Sequence, residues 1–464
     1  MRRSVRHLNS TRRPPPAPID RLGAADMITL ATDIGPVPMQ VGAIIVLDAG
    51  PGFELSGAEA VIAGRLCAIP RLRQRIIRVP PGCGHPVWVD DADFDIGRHM
   101  RRAVCPPPGD ERALLDLGAE VVTGPLPHSR PLWAVVTVTG LADGKIALIM
   151  VFHHVLADGI GGLAVLAGLA DSAPGMTDGA PGMTDGAAVF PRLAPSRRAL
   201  AADAGAARLR AISHLPATFT SARRAMAELG VARTARAPRT SLNQPTGPAR
   251  KLTLARTDLA DIHSLAHAHG ATVNDAVLAA VTGAMHTLLN RRGEDIGTVV
   301  ASVPVSARAS ATTSHLGNQT GVMPVAIPFG RDPVQRMVQI AGLTGVRKTA
   351  APGASAAVLS CAFRALATAH LLRWFMNHQR RVTTFVTNLR GPAQALSLAG
   401  ATVSAVIPIS LTTGNVTVGF AVMSYAGALT ITVLADPDLV PDVDVLTAAL
   451  QAELDGLTSK QAWS

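Results

Sequence analysis

Residues 146–159 read IALIMVFHHVLADG: an apolar run from Ile146 to Phe152, the pair His153-His154, then Val155-Leu156-Ala157-Asp158-Gly159. A short continuous apolar run predicts a strand buried on both faces rather than one that alternates between core and water. If the strand continues through the pair, its period of two sends His153 and His154 to opposite faces, so only one of them faces a given cavity. An imidazole titrates near neutrality and suits general-base work at the end of such a strand. Asp158 is placed to hold a backbone turn or pair with an arginine, and Gly159 leaves room for close approach of backbone or ligand.

Outward from this stretch the pattern is mixed α and β. Strands are expected at Met39–Asp48, at His85–Asp90 as an edge, at Ala134–Thr139, Leu252–Leu254, Val299–Val305, Val322–Ile327 and Val382–Asn388, and at Thr402–Ile409, Asn415–Ser424 and Ala428–Ala435. Helical spacing covers Ala58–Ala68, Arg112–Val122, Gly162–Ala170, Asp258–His269, Asn274–Arg291 and Val440–Leu454. Asn274 or Thr272 is the candidate N-cap of the Asn274–Arg291 helix. Pro174–Ala180 and Pro181–Ala187 are both PGMTDGA, a tandem duplication whose Gly, Pro and Asp mark a loop. The chain divides into a disordered basic arm at 1–18, a first half at 19–188, a basic helical crossover at 189–250 and a second half at 251–464.

The chain has 464 residues, 48% of them hydrophobic, which suits two domains rather than one core and does not indicate disorder. Its 43 Lys+Arg exceed 33 Asp+Glu, and the arginines cluster at Arg2–Arg13 and between Arg192 and Lys251. Such patches favour anionic partners: lipid headgroups, cofactor phosphates or nucleic acid. Nucleic acid is disfavoured by the single Tyr and the lack of Arg/aromatic interleaving. Four scattered cysteines without a C-x-x-C pair argue against a disulfide framework or metal site and fit a reducing cytoplasm. Apolar runs fall well short of the about 18 residues needed to span a membrane, and the N-terminus lacks a signal-peptide core.

HHVLADG matches the HHxxxDG motif of coenzyme A-dependent acyltransferases. More narrowly, the chain resembles the bacterial wax ester synthase/diacylglycerol acyltransferase family. Pro38-Met39-Gln40-Val41-Gly42 is similar to its PMHVG-like segment, Pro131-Leu132-Trp133 to its PLW motif and Asn274-Asp275 to its ND motif. Ser302–Arg308, Gly317-Asn318-Gln319, Asn388-Leu389-Arg390-Gly391-Pro392 and Ser424-Tyr425 resemble its C-terminal landmarks. The resemblance implies two chloramphenicol-acetyltransferase-like α/β halves with a substrate tunnel at their interface. It implies a long-chain acyl group moving from acyl-CoA, a co-substrate rather than a bound cofactor, to diacylglycerol or a long-chain alcohol. His154 would be the general base and His153 its support; Asp158 and Gly159 would be structural. Asn274, beside Asp275, would be the oxyanion donor, its role as an N-cap being the open alternative. Pro131, Leu132 and Trp133 would shape the channel, and the protein would be cytoplasmic and peripheral on membrane or lipid bodies. A non-catalytic lipid-binding relative and a transferase for another hydroxylated acceptor are the competing readings.

Two other motifs lead elsewhere. Gly159-Ile160-Gly161-Gly162-Leu163-Ala164 satisfies the dinucleotide-binding G-x-G-x-x-A. However, a polar His-His segment separates it from its strand, and the required acid, Asp178 or Asp185, falls in the duplicated loop. Cys361 lies among apolar residues at helical spacing and reads as core rather than nucleophile. No G-x-S-x-G elbow or P-loop is present.

Overall fold

The computed structural model describes residues 19–171, 190–213, 236–306, 316, 320–330, 332–348, 363 and 365–459. The basic arm, the PGMTDGA loop, Cys361 and Gly317-Asn318-Gln319 lie outside them. The strands are β1 (Gln40–Asp48), β2 (Gln74–Ile77), β3 (Val87–Asp90), β4 (Met100–Val104), β5 (Trp133–Thr139), β6 (Ile146–His153) and β7 (Lys251–Asp258), followed by β8 (Thr298–Ser306), β9 (Thr320–Pro328), β10 (Thr384–Arg390), β11 (Ser397–Leu398), β12 (Ala401–Ile409), β13 (Val418–Tyr425) and β14 (Ala428–Ala435). They form two six-stranded mixed sheets, in the orders β11-β12-β1-β6-β5-β4 and β7-β14-β13-β10-β8-β9, and β2 pairs with β3 alone.

β6 is buried along its whole length, as its apolar run predicts. Its parity feeds two cores. Ile146, Leu148, Met150 and Phe152 pack with Leu66 and Val165, from the helices Leu55–Ala68 and Gly159–Leu169. Ala147, Ile149 and Val151 pack with Leu114 and Val122 of the helix Glu111–Thr123. That helix also reaches the other sheet: a Cβ on its Gly118 would lie 2.7 Å from Ile44 of β1 and 3.6 Å from Leu252 of β7. In the second half the helices Val273–Arg291 and Val443–Thr458 cover the sheet with a single large core that includes Val281, Leu288, Phe420, Val433 and Leu450.

β1 runs antiparallel between β6 and β12. Gly42 makes the β1–β6 approach possible, because a Cβ there would lie 2.3 Å from the Met150 carbonyl oxygen. Gly391 does the same service beside the Ser424 carbonyl, also at 2.3 Å.

Sheet membership departs from the half boundary read from the sequence. β11 and β12, within 251–464, join the first sheet and close the far edge of β1. A strand as apolar as β1 needs ladder partners on both sides, and β12 supplies the second. The hairpin turn Ala399-Gly400 has both residues at positive φ, as a two-residue turn requires. Asp171 caps this turn: its carboxylate accepts from the N–H of Ala399 (3.0 Å) and of Gly400 (2.9 Å), from Ser397 Oγ (2.8 Å) and from Arg65 Nη1 (2.7 Å). Tyr425 ties the same segment to β13, donating to the Val403 carbonyl and accepting from the Leu396 N–H.

Other expectations shift in detail. The helices Ala24–Thr32, Pro333–Lys348 and Leu372–His378 and the strands β2 and β4 are additions to the elements expected from the sequence. The crossover helix Arg197–Ser213 is docked rather than fully exposed: Leu200 packs with Cys83, Val87 and Val89, and Asp203 pairs with Arg21.

Candidate active site

His153 is the last residue of β6 and sits opposite Gln40 of β1. Its N–H donates to the Leu132 carbonyl (2.9 Å), so the Pro131-Leu132-Trp133 segment fixes the strand end from the β5 side. The ring is 1% exposed. The Val155 N–H donates to Nδ1 (3.1 Å), and Nε2 lies 3.1 Å from Asp33 Oδ2. A nitrogen that accepts a hydrogen bond carries no proton, so Nε2 is the donor to Asp33. Burial disfavours the Asp33 charge. The hydrogen bond from His153, the Met39 N–H and nearby His128 outweigh it and hold the carboxyl below its usual range.

His154 follows on the turn. Its N–H donates to the Met39 carbonyl (2.8 Å), which continues the pairing with the strand-entry segment one residue beyond β6. The residue is half-buried; Nδ1 is fully screened from solvent and makes no hydrogen bond among the described residues. Burial pushes the imidazole below its ordinary 6.5, the residue's own backbone and Asp158 pull upward, and His153 adds a small downward push. The ring is therefore a neutral base at physiological pH.

Asp158 is the N-cap of the helix Gly159–Leu169, its Oδ1 accepting from the Gly161 N–H at 2.9 Å. The cap starts the helix three residues before the expected Gly162. Gly159 faces the other half: a Cβ there would lie 2.7 Å from Leu389 Cδ2 of β10. The motif's glycine is thus where the first half meets the Asn388-Leu389-Arg390-Gly391-Pro392 segment.

Next to Leu389, the Asn388 amide donates to Asn274 Oδ1 (3.4 Å). Asn274 is the second residue of its helix, and the cap is Thr272. Asp275 completes a capping box: its Oδ2 accepts from the Thr272 N–H (2.9 Å) and hydroxyl (2.6 Å), while Oδ1 accepts from the Thr344 hydroxyl (2.8 Å). With the cap assigned to Thr272, Asn274 has its carbonyl side engaged and makes no hydrogen bond from its NH2 among the described residues. Asp275 works on the backbone that presents it.

Trp133 is 1% exposed, lies in the first core, donates from Nε1 to the Leu72 carbonyl (2.8 Å) and stacks on His99 (4.5 Å between centroids). It acts from behind the site. Sequence reasoning did not single out Asp33, Leu389 or Asn388 for a role. The last two stand in a quoted landmark; Asp33 carries no motif. A cleft lined by Ile34, Gly35, Thr246, Arg373, Asn377 and Gly414 opens between the halves beside the Asp33 loop.

Among the described residues no group of three or more His, Cys, Asp or Glu is placed to hold a metal ion, and no helix is long and apolar enough to cross a membrane.

Two mixed α/β halves that meet at a histidine turn following a buried strand are the arrangement of the chloramphenicol-acetyltransferase-like fold. The comparisons narrow the class. Residues 22–277 match the wax ester synthase/diacylglycerol acyltransferase catalytic domain and residues 316–458 the WS/DGAT C-terminal domain. A probable diacylglycerol O-acyltransferase of Mycobacterium tuberculosis, tgs1, is 31% identical over 425 residues, covering 89% of this chain and 90% of its own. The wax ester synthase/diacylglycerol acyltransferase from Marinobacter aquaeolei superposes with a TM-score of 0.67 at 22% identity, over 94% of this chain and 98% of its own. A mutant starter condensation domain of rhizomide synthetase in complex with C8-CoA shares the fold at a TM-score of 0.60 and 16% identity, over 94% and 95%. The chain belongs to the wax ester synthase/diacylglycerol acyltransferase family.

Proposed function

We propose that the protein transfers a long-chain acyl group from acyl-CoA to the hydroxyl of diacylglycerol, and to a long-chain alcohol where the channel admits one. The observation that carries this is His154: a half-buried imidazole with Nδ1 screened from solvent, held below its ordinary pKa on the turn whose Gly159 meets Leu389 of the second half. With the ring's remaining proton on Nδ1, toward the residue's own backbone, Nε2 takes the acceptor hydroxyl proton as the oxygen attacks the thioester carbonyl. The tetrahedral intermediate places negative charge on the carbonyl oxygen, and the Asn274 amide is its donor. Collapse expels the CoA thiolate, which takes the proton back from His154. Asp158 and Gly159 hold the turn, and Pro131-Leu132-Trp133 shape the channel from the first core. Family membership and the tgs1 relative support the diacylglycerol acceptor, and the family's description as wax ester synthases supports the alcohol.

The test is thiol release from palmitoyl-CoA by the purified chain with diolein or hexadecanol, beside His154→Ala. Acceptor-dependent release that the variant loses, at least about 100-fold, is the expected result, and the better acceptor identifies the substrate. Saturable palmitoyl-CoA binding without release would refute it in favour of a lipid-binding relative.

Attachment to a lipid surface from the cytoplasmic side belongs to the same proposal. The arginine clusters support it, since they suit anionic headgroups. Co-sedimentation with anionic vesicles at low salt tests it; a protein that stays in the supernatant does not dock this way.

A further inference from the structure

The geometry around β6 assigns Asp33 as a positioning residue of the acyl-transfer site. We propose that its carboxylate locks His153 with the proton on Nε2 and fixes the backbone of His154 through Met39.

Two donors converge on this one carboxylate. Oδ2 accepts from His153 Nε2 at 3.1 Å, and Oδ1 accepts from the Met39 N–H at 3.0 Å. Met39 in turn accepts the His154 N–H through its carbonyl at 2.8 Å. Asp33, His153, His154 and Met39 thus form a closed ring of contacts, and Asp33 is its acceptor-only member. A carboxylate serves two converging donors; an amide presents its own N–H2 to one of them.

The tautomer matters because of the Val155 N–H, 3.1 Å from His153 Nδ1. Moving the proton to Nδ1 sets two donors against each other at the turn that carries His154. By accepting from Nε2, Asp33 favours the tautomer that leaves Nδ1 free to accept the Val155 N–H. The other titratable group at this carboxylate is His128, exposed, with Nε2 at 3.9 Å from Oδ2 and its ring edge-on to His153 at 5.9 Å. Asp33 bonds to the strand end and its flank, not to the reacting atoms, which makes it a positioning rather than a catalytic residue. Removing comparable ligand-orienting partners at metal sites costs roughly 10–100-fold in activity.

The experiment compares the full chain with Asp33→Asn and Asp33→Glu. Its first arm, which does not rest on the acyl-transfer reading, is 15N NMR of histidine-labelled protein, with the His153 resonances assigned by their loss in His153→Gln. The wild type is expected to show the Nε2–H tautomer and Asp33→Asn a shift toward Nδ1–H. Its second arm, which does rest on that reading, is steady-state transfer from palmitoyl-CoA. Asp33→Asn should lower kcat about 10–100-fold with KM for palmitoyl-CoA within about threefold, and Asp33→Glu should recover most of kcat. An Nδ1–H tautomer in the wild type, or an unchanged tautomer and kcat in Asp33→Asn, would overturn the proposal. A parallel loss of kcat, KM and thermal midpoint that glutamate does not rescue would overturn it too, reducing Asp33 to a fold residue. Should the wild type transfer no acyl group at all, the functional reading fails while the tautomer arm still decides the lock.

Discussion

Replacing Gly42 with alanine puts one methyl group where the structure has least room. The added Cβ would lie 2.3 Å from the Met150 carbonyl oxygen, about 1 Å inside an ordinary C···O contact. The obstacle is main chain in a buried strand, so no side chain can swing aside. β1 and β6 must separate locally by a similar distance, which stretches ladder bonds of about 2.9 Å beyond useful length. Two flanking bonds at about 1 kcal/mol each, together with about 1–3 kcal/mol of overpacking, give about 3–5 kcal/mol. The separation falls two residues from Gln40, opposite His153, and three from Met39, which holds the His154 N–H. Activity should therefore fall together with stability. The assay is a thermal melt beside transfer from palmitoyl-CoA, with Gly50→Ala as control, since nothing lies within 4 Å of a Cβ at Gly50. A midpoint depressed by about 3–5 °C in Gly42→Ala and unchanged in the control is expected. A Gly42→Ala protein that melts within about 1 °C of wild type would refute the close-approach reasoning.

Three further outcomes follow from the same geometry. Burial lowers the His154 imidazole from 6.5, and the neutral ring is the base, so kcat/KM should rise with pH through a midpoint below 6.5 and stay level above it; a midpoint above 7 would contradict this. Thr272→Ala should cost about 1 kcal/mol of stability with kcat nearly intact, whereas Asn274→Ala should cut kcat about 100-fold with little change in melting, and the reverse pattern would make Asn274 the capping residue. Burial opposes the Asp171 charge, but the Gly400 N–H, Arg65, Ser397 and the Ala399 N–H outweigh it and hold its carboxyl below the usual range. Its contribution is therefore present above the unfolded-state pKa and lost as pH falls through the folded one. Asp171→Asn should destabilise by about 1–2 kcal/mol at pH 7 in denaturant titrations, with the gap to wild type closing in acid.

What the sequence exposes about this fold is what repeats or clusters locally. β6 is readable because both its faces are apolar, and β13 for the same reason; β14 is readable because Leu429, Ile431 and Val433 alternate with Thr430 and Thr432. The His153-His154…Asp158-Gly159 group is readable because four polar or special residues interrupt an apolar run at fixed spacing. β4 reads M-R-R-A-V at an exposed edge, so burial leaves no pattern on it. Asp33 shows no local signal, because its partners are six residues ahead at Met39 and 120 residues away at His153. Asn388 lies 114 residues from Asn274, and only the folded chain sets them together. Between Asn274 and Thr272 the sequence left the cap open. The deciding fact is the reciprocal Thr272–Asp275 pairing, which depends on where the helix actually begins.

β12 is made late and used early in the fold's order. While the chain leaves the ribosome, β1 has β6 on one side as soon as residue 153 is out, yet its other edge stays open until Ala401–Ile409 emerges. For the synthesis of some 250 residues the first half presents an apolar strand with unpaired amides and carbonyls, a template on which a neighbouring nascent chain can dock. At a rate of roughly 5–20 residues per second that window lasts on the order of tens of seconds. Slowing initiation should raise the folded yield more than lowering the temperature of the purified protein does.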